Sequence, residues 1–390
     1  MNQGKYVFAQ LIDFLSPNDF IRCVEKFDGN HRVRSFTCWH QMLYMIFGQL
    51  SHRDSLRDLI ICLQSQQNKS YHLGMGKGAS KSNLARANEK RDYRIYESFA
   101  ATLVQQVQQL SINFEPLELS TNASVYAIDA TVIDLCLNIF WWGKFRKHKA
   151  AVKLHAVFDV KANIPTFFDV TSGSVHEVKF LKQINFEPGS YYVMDKGFID
   201  FERLFFIHRS SAFFVMRAKA NLRFVRITSR SVDKKSVVTC DQTIRLKNRL
   251  VSLSYPDNIR RIKYYDNETD THFVFITNDF ALSAIDVARI YKYRWTIELF
   301  FKWIKQHLKI KTFWGYSLNA VRTQIYIAMI TYLMVALVKH QLKLKQTQYE
   351  ILQILSVSLL CKTPLLELFS NDYPQYVKEL KDNQLILFNF

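Results

Sequence analysis

The run YKYRWTIELFFKWIKQHL, from Tyr291 to Leu308, contains neither Pro nor Gly and is rich in helix-forming Lys, Glu, Leu and Gln. It predicts one continuous helix. With Tyr291 set at 0° and about 100° per residue, Arg294 falls near 300°, Glu298 near 340°, Lys305 near 320° and Lys302 near 20°. Ile297, Phe300, Phe301, Ile304 and Leu308 gather on another side, a stripe suited to a core. The spacing alone fits an amphipathic helix with a solvated polar face. That face, however, sets one carboxylate among a Tyr, an Arg and two Lys, as metal-assisted phosphodiester chemistry would require.

Two aspartates upstream are the natural companions of Glu298. Asp129 stands inside VYAIDATVI, a β-patterned run, and Asp195 ends the run YYVMD just before Lys196 and Gly197. A carboxylate inside an apolar strand is costly unless it has a partner or a metal. Asp134, in the same segment, is a rival to Asp129. Val152–Val160 and Thr166–Val170 read as two further strands of an antiparallel meander, residues 176–184 as a short helix, 199–208 as a helix and 212–217 as a strand. This order predicts an α/β domain built on a mixed sheet covered on both faces.

Composition sets the class of partner. The chain has 390 residues, 52 Lys and Arg against 34 Asp and Glu, a formal charge of +18, and 48% hydrophobic residues. Such a field attracts a polyanion, nucleic acid before all. Between Arg217 and Lys263 thirteen Lys or Arg stand against three Asp. Short β-like runs in this region (RFVRIT, KSVVT, LVSLSY, RIKYY) predict a β-rich insertion at about 219–271. The six cysteines show no paired spacing, which argues against a zinc site or disulfides and for a reducing, cytoplasmic setting. No apolar export signal opens the chain. Ile325–Val338 is the strongest membrane candidate, but fourteen residues are too few to span a bilayer, so a buried core helix is expected and no membrane partner.

The first 118 residues predict helices only. Ser16-Pro17 opens one that ends near Phe27, residues 35–50 are apolar enough to be buried, and Ser51 with Asp54 predicts the start of a third. Glycines 74, 76 and 78 mark a break. Ser80 and Ser82 then introduce a long helix whose first turns carry Arg86, Lys90, Arg91 and Arg94. A basic helix entering DNA and an ordinary solvated helix both fit. Ser111–Ser124 reads as a linker, Ser283 with Asp286 as the cap of the helix carrying Glu298, and residues 341–390 as a C-terminal helical region.

The spacing Tyr291-x2-Arg294-x3-Glu298-x6-Lys305 resembles, at every position, the Y-R-E-K signature of bacterial DDE transposases of insertion-sequence family four. Asp195-Lys196-Gly197-Phe198 is similar to their second-aspartate motif, with Lys where Arg is common, and His176-Glu177 is similar to a His-acidic pair after the third strand, though the start of a helix fits it equally. The resemblance spans about residues 20–340. It implies a ribonuclease-H-like catalytic domain at 119–340, preceded by a helical domain that binds terminal inverted repeats. It further implies that Asp129, Asp195 and Glu298 hold two Mg2+ ions, with Mn2+ as substitute, and that Tyr291, Arg294, Lys305 and Lys302 grip phosphates. The partners would be double-stranded DNA, as terminal repeats and as target, and a second copy in a homodimeric synaptic complex near the nucleoid.

Overall fold

The computed structural model describes residues 4–110, 123–136, 139–146, 149–233, 236–267 and 270–370. The predicted linker at 111–124 lies almost wholly outside them. Six helices come first: α1 (Val7–Ile12), α2 (Pro17–Lys26), α3 (Cys38–Leu50), α4 (Leu56–Gln64), α5 (Lys81–Lys90) and α6 (Arg94–Leu110). As expected, Ser16 caps α2, its hydroxyl accepting from the Asp19 amide at 3.3 Å. The start of α4 is different. Ser51 donates its hydroxyl to the Phe47 carbonyl at 2.6 Å and is used up by α3, so Ser55 caps α4 through the Asp58 amide at 3.1 Å. The long basic helix is also two helices. Arg91 is extended, and the Asp92 carboxylate takes the Arg94 amide at 2.9 Å to begin α6.

Ten strands follow in one mixed sheet: β1 (Val125–Leu135), β2 (Lys144–Arg146), β3 (Lys149–Asp159), β4 (Ile164–Ser172), β5 (Tyr191–Met194), β6 (Phe213–Arg217), β7 (Phe224–Ser229), β8 (Val238–Leu246), β9 (Ile259–Asp266) and β10 (Thr271–Thr277). The order is β2-β3-β1-β5-β6-β10-β9-β8-β7, with β4 on β3. The β1–β3–β4 meander is antiparallel, whereas β1, β5 and β6 run parallel. The basic stretch is thus an extension of the same sheet, joined where β10 lies antiparallel to β6. LVSLSY, expected as a strand, is instead helical: α8 (Arg249–Ser254) is capped by Asn248, with Val251 and Tyr255 one turn apart on its packed side.

The remaining helices are α7 (Phe201–Arg209), α9 (Ala284–Lys292), α10 (Trp295–His307), α11 (Leu318–Gln341), α12 (Gln348–Ser358) and α13 (Leu365–Leu368). The apolar segment at 325–338 lies inside the 24-residue α11. By length and apolarity α11 could cross a membrane, but 94% of its most apolar window is buried within the protein. It packs on α6, α3 and α5, so one hydrophobic cluster runs from Val7 to Phe369. A second cluster covers the opposite face of the sheet under α7.

Arg260, 2% exposed, ties the basic strands to the approach to α9. It makes two bonds to Asp241, at 2.9 and 2.7 Å, and donates to the carbonyls of Asp279 and Leu282. Removing one member of a buried pair leaves an uncompensated charge and costs roughly 3–5 kcal/mol. Arg260→Ala should therefore lose about that much in denaturant unfolding, while the double change Arg260→Met, Asp241→Leu should recover most of it. Equal losses in the two variants would place the stabilisation in the carbonyl contacts alone.

Candidate active site

Side chains on a strand alternate between faces. Val125, Ala127 and Val193 belong to the cluster under α9–α11, and Tyr126, Ile128, Tyr192 and Met194 to the other. Asp129 and Asp195, each one step further, therefore point toward α9 and α10. The last parallel register pair is Ile128 with Met194, so each aspartate is the next residue after it, Asp129 still within β1 and Asp195 just past the end of β5. Helix α10 packs across β1 and β3 through Ile297, Phe300, Phe301 and Ile304 and carries Glu298 in its first turn.

The predicted single helix from Tyr291 to Leu308 is broken. The Ser283 cap opens α9, not the helix of Glu298, and the chain tightens at Tyr293 and Arg294 through three-residue turns. The Thr296 hydroxyl donates to the Tyr293 carbonyl at 2.7 Å and closes the break. Tyr291 thus ends one helix, packed on the Phe275 ring, and Glu298 begins the next.

Arg294 points inward at this junction. Its guanidinium forms an ion pair with Glu298, lies 3.7 Å from the Asp129 carboxylate, and rests over the Tyr291 and Trp295 rings at 5.6 and 5.7 Å. Among the described residues, the buried Tyr291 hydroxyl and Arg294 Nε meet no hydrogen-bond partner of good geometry. Asp129 accepts from the Ala130 amide at 2.8 Å. Burial nevertheless pushes its carboxyl up to about 6, with Glu298 and Glu177 adding to the rise and Arg294 opposing it. Asp195 is half-buried at the start of a short turn, and its charge, after burial, helps raise the Tyr291 phenol.

Glu177 reaches the same margin. A Cβ on Gly197 would sit 3.2 Å from its carboxylate, and Lys153 lies 3.3 Å away. Lys153 escaped the sequence reading because a lysine on a strand carries no distinguishing pattern. Asp134 is exposed about 16 Å further along β1, by the rise of a strand. Lys302 is exposed, and Lys305 lies near the Asp134 end, about 10 Å from Glu298 along α10. On the N-terminal helices Arg86 and Lys90 are exposed. Arg91 is bound to the carbonyls of Phe36 and Thr37 and to Gln41, and Arg94 is paired with Asp92 at 2.6 Å. Among the described residues, no three His, Cys, Asp or Glu side chains stand close enough to share one metal ion.

Residues 120–334, just over half of the chain, match the family described as Transposase DDE domain. The chain belongs to that family. Its relatives carry transposase names. The protein y4zB of Sinorhizobium fredii is 31% identical over 71% of this chain and 76% of its own. The relative for insertion sequence element IS5377, from Geobacillus stearothermophilus, is 28% identical over 56% of this chain and 58% of its own. That for element IS4SA, from Synechocystis, is 24% identical over 66% and 71%. Residues 3–76 match a domain of unknown function. A piggyBac transposase in a synaptic complex with hairpin DNA aligns with 98% of this chain and 86% of its own at 11% identity and a TM-score of 0.45, a loose likeness. This is a bacterial insertion-sequence transposase, an enzyme that acts on DNA.

The raised Asp129 carboxyl has a consequence for the transposase that needs no DNA. The folded chain holds this proton up to about pH 6 and the unfolded chain only to about 4, so stability falls as pH rises through that window. The ionised form costs roughly 1–3 kcal/mol. In divalent-free buffer Asp129→Asn should therefore unfold at a higher temperature than wild type at pH 7.5, the gap closing toward pH 4. A less stable Asn variant at pH 7.5 would mean that attraction to Arg294 outweighs burial.

Proposed function

We propose that this transposase binds the terminal inverted repeats of its insertion sequence and moves it by cut-and-paste, through a DNA hairpin at the element's end. The observation that supports this reading is the placement of Asp129 on β1 and of Asp195 just past the end of β5, its parallel neighbour, with Glu298 joined to Asp129 through Arg294. In this reading the sheet and its covering helices are a ribonuclease-H-like domain at about 119–340, and the chain is of the Y-R-E-K subgroup. Residues 1–118 are the end-binding domain, with Arg86 and Lys90 exposed on α5 toward DNA. A homodimer holds the two ends together.

The donor set suits hard divalent cations: three carboxylates and no sulfur or imidazole among them. Asp129, Asp195 and Glu298 would hold two Mg2+ ions, with Mn2+ able to replace them. When bound, the pair supplies Lewis acidity and activates an oxygen nucleophile for in-line displacement at phosphorus. Arg294 already neutralises two of these carboxylates, so it must release at least one of them when a cation takes its place. Its fork then suits a phosphate oxygen. Tyr291, beside the Arg294 guanidinium, offers that phosphate a hydroxyl donor, and Lys302 and Lys305 offer point charges further along.

The test uses a duplex carrying the repeat that flanks the gene. Asp129→Ala, Asp195→Ala and Glu298→Ala should each cut Mg2+-dependent cleavage by about 10³-fold or more, since metal assistance contributes several kcal/mol, with end binding retained. Arg294→Ala should keep part of first-strand nicking and lose more at the hairpin step. Wild-type cleavage by Asp129→Ala would remove that residue from the site and bring Asp134 forward. A hydrolytic nuclease of the same fold predicts nicking without any strand-transfer product, so both products are measured.

A further inference from the structure

Beyond the carboxylates, the end of α10 meets the turn between α3 and α4 in a cleft of about 400 Å³. His52, Lys305, His307, Lys309 and Lys311 line it, and no carboxylate does. Lys309 is held by the exposed Asp54 at 2.6 Å. Lys305 is half-buried, and burial followed by the charge of Lys311 holds its ammonium below the ordinary lysine range, with Asp134 opposing them in part. Like charges crowded together cost stability unless an anion joins them.

The backbone beneath these cations is fixed by two glutamines that are essentially fully buried. Gln49 of α3 accepts from the Lys309 amide at 2.7 Å, and Gln324 of α11 donates to the carbonyls of Lys309 and Thr312 at 2.5 and 2.9 Å. Gln324 also accepts from the Trp314 amide at 2.8 Å, while Gly48 allows the Trp314 ring so close that a Cβ there would stand 2.5 Å from it. On the opposite wall His52 holds a left-handed backbone, φ 54°. A cationic cleft so rigidly supported is preorganised for a ligand, since little ordering remains to be done on binding.

We propose that this cleft is a second backbone-phosphate subsite, in which the α3–α4 turn and the end of α10 together grip the DNA strand about 10 Å from Glu298. The proposal rests on the transposase reading above and extends it to His52 and Lys311. It makes the N-terminal helices and the catalytic helix two jaws of one clamp. DNA seated there touches both halves of the chain at a fixed separation from the reacting phosphate.

The experiment measures Kd against salt for a mixed-sequence duplex, with wild type, Lys311→Ala, Lys305→Ala with Lys311→Ala, and His52→Asn. Asn tolerates the left-handed backbone, so the His52 change keeps the turn. Each phosphate contact contributes about 0.9 to the slope of log Kd against log salt. The double variant should therefore lose between one and two units of slope, with Kd weakened about 10–100-fold near 0.15 M salt. Lys311→Arg should restore its share, and Lys345→Ala, on the exposed surface elsewhere, should match wild type. Thermal unfolding checks that each variant folds. A double variant with the wild-type slope, or an equal loss in Lys345→Ala, overturns the cleft as a subsite. If cleavage by wild type still needs Asp129, the catalytic reading survives that result. Failure of the wild type itself to bind or cut DNA overturns both.

Discussion

Desolvation of the Asp129 carboxylate is the constraint around which the rest is arranged. A strand interior under two helices is a poor place for an anion, and the fold answers with one amide bond and one guanidinium. Neither satisfies it fully, because the carboxyl stays raised, to about 6. Arg294 faces both Asp129 and Glu298 from the junction of α9 and α10, where the backbone keeps near-helical dihedrals while three-residue turns replace the regular helical bonds. It lies at the corner between a phenol and two carboxylates.

That corner needs firm backing. Helix α11 provides it by running through the middle of the molecule with its long apolar window enclosed, joining α3, α5 and α6 to the catalytic sheet. Polar groups are spent sparingly along it. Arg322 donates to the Tyr93 hydroxyl and the Val170 carbonyl, and Gln324 fixes the segment after α10. Buried hydrogen bonds of this kind specify a register more than they add stability. They hold the N-terminal helices against the catalytic half, so both share one core.

The strands around the candidate site were legible in the sequence because alternation and apolar runs are local signals. Asp129 within VYAIDATVI and Asp195 at the end of YYVMD lie on the elements read for them, and the meander after Asp129 has the expected direction. What escaped depends on contacts distant in sequence or on competition among neighbours. YKYRWT has helical propensity throughout, yet Thr296 closes a turn on Tyr293 and splits the helix. NEKRDYRI reads as helix until Asp92 takes the Arg94 amide. Ser51 has the composition of a cap but is consumed by the preceding helix. Arg91 looks like a DNA contact beside Arg86 and Lys90, but its donors are taken by two carbonyls and Gln41, partners more than forty residues away. Charge in a sequence says how many cations there are. Burial decides which remain available.

The same distinction explains how so basic a chain can house an acidic centre. The excess of positive charge is spread over strands and helix ends where water and salt screen it within about 10 Å. Asp129 stands where screening is weaker, on the helix-covered face of the sheet, with Glu298 across Arg294 from it. A polyanion drawn by the outer field would therefore meet, at the reacting phosphate, acids that repel it unless a cation intervenes. Arg294 plays that part in the free protein, but a guanidinium cannot activate an oxygen nucleophile. In the proposed reading, carboxylates inside a basic shell favour DNA and divalent cation together over either alone. This is a physical basis for coupling DNA capture to the readiness of the site to cut.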